Sequence, residues 1–252
     1  MQTDGGRTMR YRVLSLRSAR WLIALKAALV AIVLVGQPLN AKAVPATQAA
    51  QTHVYLMRGV LNIFSLGMDQ MAYRLQAQGI NASVHNHMLW SSVAADAAAA
   101  YKSGKIKTII LVGHSSGATC LPDIVASLSA QGVPVKLAIG LDSVFRTSLT
   151  GKVGRYINFY IANGAGTRVE KTKNFSGELD NVDVERVPGI SHVSIDKNEV
   201  IQQKVIAAID AAVAGGPAAD PNAPKPPGAP GGAPAAPAAA PPPTATSKRA
   251  AN

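Results

Sequence analysis

Ser115 stands at the centre of Gly113-His114-Ser115-Ser116-Gly117, a G-x-S-x-G run that follows an apolar stretch over 106–112. Between a strand and a helix, this pattern forms a sharp turn that holds a serine hydroxyl out at the carboxyl end of the strand. The backbone there is too tight for side chains two residues before and two after the serine. A serine hydroxyl is a weak nucleophile at neutral pH, so acyl-transfer chemistry needs a base beside it and a carboxylate to orient that base. Asp142 and His192 suit these tasks. Asp142 ends the apolar run Val135-Lys136-Leu137-Ala138-Ile139-Gly140-Leu141, and His192 closes the loop Pro188-Gly189-Ile190-Ser191-His192 after an alternating segment over 182–187. All three residues fall just past the carboxyl end of a strand, where open α/β sheets bind their ligands.

The elements that must position them alternate along the chain. Strands are predicted over 54–58, 80–85, 107–112, 135–141, 156–161 and 182–187, and helices over 69–78, 93–102 and 118–130. A last amphipathic helix carries Val200, Val205, Ile206 and Ile209 at near-helical spacing, with Asp196 to Asn198 around its start. Such alternation specifies an α/β fold with a doubly wound, mainly parallel, six-stranded sheet. Pro122 interrupts the helix after the elbow. It costs about 3 kcal/mol in a helix interior. Either the helix bends near Thr119, or a short first turn gives way to a second helix that begins at Pro122.

Gly113 to Gly117, with Asp142 and His192 in this order, resembles the α/β-hydrolase family from about residue 53 to about residue 213. The resemblance implies a serine hydrolase of minimal form. No room precedes His53 for the two leading antiparallel strands, and 143–155 is too short for a cap domain. In that family the acid often follows the next-to-last strand, but that place holds Ala162 and Asn163 here. The strand before it ends in Asp142, as in thioesterase domains of the family, so the acid role is carried to Asp142, with Glu170 and Asp180 as the nearest substitutes. The resemblance also implies two oxyanion donors. One is the N–H of Ser116. The other comes from Arg58-Gly59-Val60-Leu61, where family members commonly have His-Gly, so Val60 donates, Gly59 leaves room, and the Asn62 side chain is an alternative. His114 fills the elbow's variable position and reads as structural.

His85 and His87 end the second strand, and residues two apart on a strand share a face. A metal pair is one reading, but no third ligand lies nearby in sequence, which favours pocket lining and no metal. Met88, Leu89 and Trp90 then offer an apolar wall for an acyl chain. Cys120, the single cysteine, excludes an intramolecular disulfide and reads as a small packed hydrophobe. No cofactor motif is found.

Both ends read as non-globular. Five arginines lie in the first 20 residues, then an apolar run over 21–36 broken by Lys26, then Ala41-Lys42-Ala43. That is the grammar of a signal peptide over 1–43, with an uncleaved membrane anchor as the alternative. Seven of the 25 Lys/Arg and one of the 14 Asp/Glu fall there, so the formal charge of +11 drops to +5 for the remainder. With no basic stripe interleaved with aromatics, nucleic acid is not expected as a partner. Residues 215–252 are mostly Ala, Pro and Gly, a composition that builds no core. They read as a disordered spacer or as a tether to the cell envelope. The domain is thus 44–214, an exported (periplasmic or secreted) enzyme acting on small-molecule or lipid-like esters. Thioester cleavage or acyl transfer is the second reading, and a non-catalytic envelope-binding module is the third.

Overall fold

The β-branched run Thr-Ile-Ile-Leu-Val becomes the central strand of a single sheet in the computed structural model, which describes residues 45–60 and 65–215. The signal peptide expected over 1–43, Asn62 and the expected tail from 216 onward lie outside the described residues. After a short helix α1 (Ala46–Ala50), the order is β1 (Thr52–Arg58), α2 (Gly67–Ala77), β2 (Asn81–Asn86), α3 (Trp90–Lys102) and β3 (Thr108–His114). It continues with α4 (Ser116–Thr119), α5 (Leu121–Ala130), β4 (Val135–Leu141), β5 (Thr147–Tyr160), β6 (Val169–Asp183) and α6 (Glu199–Val213).

The six strands lie in the order β2-β1-β3-β4-β5-β6, and every neighbouring pair is parallel. The order in which strands are added reverses between β1 and β3, so a crevice opens above their carboxyl ends. Each face of the sheet is covered. Leu56, Ile110, Val112, Ile139 and Phe159 pack with α2 and α6 on one side. Tyr55, Met57, Ile109, Leu111 and Tyr156 pack with α3 and α5 on the other. Alternate residues of β1 and β3 therefore enter opposite cores, which is why these strands read as continuous apolar runs.

The helix after the elbow is split. α4 ends at Thr119 and α5 begins at Leu121, with Pro122 in its second position rather than its first. There its missing N–H is among the donors that no helical carbonyl could have accepted. Asn198 caps α6, its side chain accepting from the N–H groups of Val200 and Ile201.

The last two strands differ from the expectation. The strand expected over 156–161 is the second half of a 14-residue strand, and the one expected over 182–187 is the end of a 15-residue strand that stops at Asp183. Val184 N–H still bonds to Tyr160 O, but Val187 N–H turns back to Val184 O, which ends the run. A straight β5 would be roughly 43 Å long, beyond the reach of the eight residues that lead back to the start of β6. The two strands are instead folded over together at the register shifts around Gly151 and Lys152. Val169 N–H and C=O both bond to the side chain of Asn181, twelve residues on. The fold brings residues 166–168 back against the end of β4.

Candidate active site

At the end of β3 the backbone of Ser115 takes φ 58° and ψ −125°, a strained conformation for a residue with a side chain. The flanking glycines permit it. A Cβ on Gly113 would sit 2.2 Å from Gly117 O, and one on Gly117 would sit 2.1 Å from Met57 O. The turn therefore presses against β1 as well as against itself, which fixes the hydroxyl over the crevice.

Ser115, His192 and Asp142 form one hydrogen-bonded line. Asp142 is fully buried, and its Oδ2 lies 2.7 Å from His192 Nδ1. A carboxylate only accepts, so Nδ1 carries the proton and donates it. Nε2 is then left to accept from Ser115 Oγ at 3.0 Å. The second carboxylate oxygen of Asp142 accepts the Ile161 N–H at 2.9 Å, which clamps the acid to the loop after β5. Asp142 also has a positive φ, 52°. Gly166 reaches the acid through the folded β5–β6 ribbon, and a Cβ there would fall 1.8 Å from Asp142 Oδ1. Glu170 and Asp180 are elsewhere: Glu170 pairs with Arg146 at 2.8 Å and Asp180 with Arg155 at 2.6 Å.

His114 joins two parts of the site. Its Nε2–H donates to the main-chain carbonyl of His192 at 2.8 Å, so its Nδ1 must accept, and Ser65 Oγ–H supplies that bond at 2.8 Å. Ser65 Oγ in turn accepts the Gly59 N–H at 3.0 Å. Burial holds the His114 pKa below its ordinary value, which keeps the ring neutral and the pattern fixed. The Gly59 N–H is therefore spent on Ser65. Ser116 N–H and Val60 N–H have no partner among the described residues. Gly59 supplies space: a Cβ there would lie 2.9 Å from Ser115 Cβ.

The loop that carries His192 is pinned from below. Asp196 is fully buried, and its Oδ2 accepts the Gly67 N–H at the start of α2 at 2.8 Å, a favourable place for a carboxylate. Gln202 of α6 bonds to the Asp196 carbonyl at 2.8 Å. Neither Ser65, Gly166 nor Asp196 was legible as part of the site. Each acts through one contact far away in sequence, and no local pattern marks such a residue.

Two cavities meet at the elbow. One, of about 210 Å³, is lined by Ser115, His192, His114, Gly59 and Val193 among others. The second, of about 350 Å³, is lined by Val60, Ser116, His87, Met88, Trp90 and Phe145 among others. His85 does not line it, contrary to the shared-face expectation. The chain leaves the strand after Asn86 and enters a tight turn over His87–Leu89, so the two histidines diverge. His85 bonds instead to Ser83 Oγ at 2.7 Å, which also bonds to His53 at 2.8 Å. No group of three potential metal ligands occurs among the described residues. Cys120 is buried, and burial pushes its thiol up to about 12.

No family model matches the chain, and no curated protein matches it in sequence. In shape it is similar to human thioesterase 2, at 8% identity and a TM-score of 0.44, with 65% of this chain and 96% of that one covered. It is also similar to RedJ, solved with a polyethylene glycol molecule in its active site. There the identity is 10% and the TM-score 0.35, over 70% of this chain and 98% of that one. These likenesses concern shape and carry no functional argument. The chemistry rests on the line from Ser115 to Asp142.

Proposed function

We propose that this protein is a serine hydrolase that cleaves carboxylic esters through an acyl-enzyme and acts outside the cytoplasm. The observation that carries the reading is the continuous hydrogen-bond line Ser115–His192–Asp142, in which the carboxylate requires the proton on Nδ1 and turns the Nε2 lone pair to Ser115 Oγ. Ser115 Oγ attacks the ester carbonyl carbon and passes its proton to His192 Nε2. Asp142 steadies the imidazolium that results. The carbonyl oxygen becomes an oxyanion, met by the N–H groups of Ser116 and Val60, each worth about 10²–10³ in rate. The intermediate collapses, His192 protonates the departing alcohol, and Ser115 is left acylated. Water then repeats the sequence with His192 again as base, releasing the acid and restoring the serine. Thioesters are cleaved by the same steps. The placement of the acid directly after β4 favours them as the second substrate class.

A fluorophosphonate probe tests the reading on the full chain. It should label Ser115, and Ser115→Ala should abolish both labelling and hydrolysis of p-nitrophenyl acetate. Undiminished labelling of the alanine variant would remove the proposal.

A further inference from the structure

The larger of the two cavities ends in a group that the chemistry above does not use. Ser116, Thr119, Cys120 and Asp123 all line it, along α4, the break at Cys120 and the first turn of α5. This wall therefore runs from the oxyanion donor at the start of α4 to Asp123 in the first turn of α5. Between them the walls are apolar, with Trp90, Met88 and Phe145. The Asp123 side chain has no hydrogen bond or ion pair to any described residue, and no lysine or arginine lines the cavity. Partial burial raises its pKa, with no neighbouring cation to offset the effect.

The two cavities divide the ester between them. His192 must protonate the departing alcohol, and it lines the smaller cavity, so the leaving group lies there. The larger cavity lacks His192 and holds Ser116, with Val60 shared between the two, so it receives the acyl chain. We infer that this acyl pocket selects chains that end in a cationic group, held by the carboxylate of Asp123 beside the face of Trp90. An exposed, unpaired carboxylate at the mouth of an apolar groove that also holds an indole can recognise an ammonium.

This inference rests on the serine-hydrolase reading, and the test separates the two. The substrates are p-nitrophenyl 6-(trimethylammonio)hexanoate and its uncharged carbon isostere, p-nitrophenyl 7,7-dimethyloctanoate, with p-nitrophenyl acetate alongside. The quantity read is the ratio of kcat/KM for the cationic ester to that for the isostere, taken within each protein. The full chain should give a ratio on the order of ten, the combined worth of a partly solvated charge pair and a cation–π contact. Asp123→Asn should lower the ratio several-fold, to the small preference that the Trp90 contact alone supplies. A wild-type protein that hydrolyses the acetate yet shows a ratio near one overturns this inference alone. So does a ratio that survives Asp123→Asn. Failure to hydrolyse any of the three esters, with no fluorophosphonate labelling, overturns the serine-hydrolase reading and this inference with it.

Discussion

Replacing Asp142 by asparagine isolates the acid's role, because the structure dictates how the amide must sit. The Ile161 N–H points at one oxygen of Asp142, so the asparagine carbonyl must stay there, since an NH₂ group would set donor against donor. The NH₂ then faces His192 Nδ1 and donates to it. The imidazole responds by placing its proton on Nε2, which now meets the Ser115 hydroxyl as a donor and cannot accept its proton. The expected loss is about 10⁴ in kcat/KM, or about 5.5 kcal/mol of transition-state stabilisation. Both bonds of the buried side chain survive in this arrangement, so the melting temperature should hold. The assay is steady-state hydrolysis of p-nitrophenyl butyrate beside a thermal melt, with Glu170→Gln and Asp180→Asn as parallel variants. Those two carboxylates are committed to Arg146 and Arg155 and should be nearly silent. If Asp142→Asn stays within tenfold of the parent, or Asp180→Asn carries the loss instead, the reasoning fails.

Gly166→Ala should lower kcat by about 10², since its Cβ must displace the Asp142 oxygen it would otherwise overlap; an unchanged kcat would refute the account of the acid's support. His53 has its pKa lowered from 6.5 to about 4, chiefly by burial and then by the charges of His85 and Lys105. The unfolded chain takes up that proton first as pH falls, so this residue's stabilising effect is full above pH 6.5 and is lost as the pH falls toward 4. Melting temperatures followed from pH 7 to 4 should therefore fall further for the wild type than for His53→Gln, and parallel curves would contradict the assignment. Deletion from residue 216 onward should leave melting temperature and turnover unchanged, because an Ala/Pro/Gly composition buries little. Mass spectrometry of the exported protein should find Val44 at the N-terminus, whereas an intact leader in the membrane fraction would support an anchor.

What could be read in the sequence was the part of the site fixed by local sterics. The strained turn at Ser115 needs glycine on both sides, so Gly113 and Gly117 announce it. Strands buried on both faces announce themselves as apolar runs, which is why β1, β3 and β4 stood close to where they were expected. The ribbon of β5 and β6 had no such signal. Much of β6 is exposed and rich in Lys, Thr, Asn and Glu, so no apolar alternation marks its first half. Its pairing follows from contacts between distant segments, and the expected strand caught only its buried end.

The same distinction explains the site's supports. Ser115 is held by its neighbours in sequence, but Asp142 is held by Ile161 and Gly166, and His192 is held through His114 and Asp196. Each support joins segments distant in sequence, near the carboxyl ends of different strands. The line from Gly59 through Ser65 and His114 to His192 joins the oxyanion loop to the loop of the base. A shift of either loop therefore acts on the other. His114, the elbow histidine read as a structural residue, is the joint between them. Its burial keeps it neutral and thereby fixes one donor and one acceptor, and a protonated ring would reverse the bond to Ser65. Placement of the base and of the oxyanion donors is in this way one property of the fold rather than two.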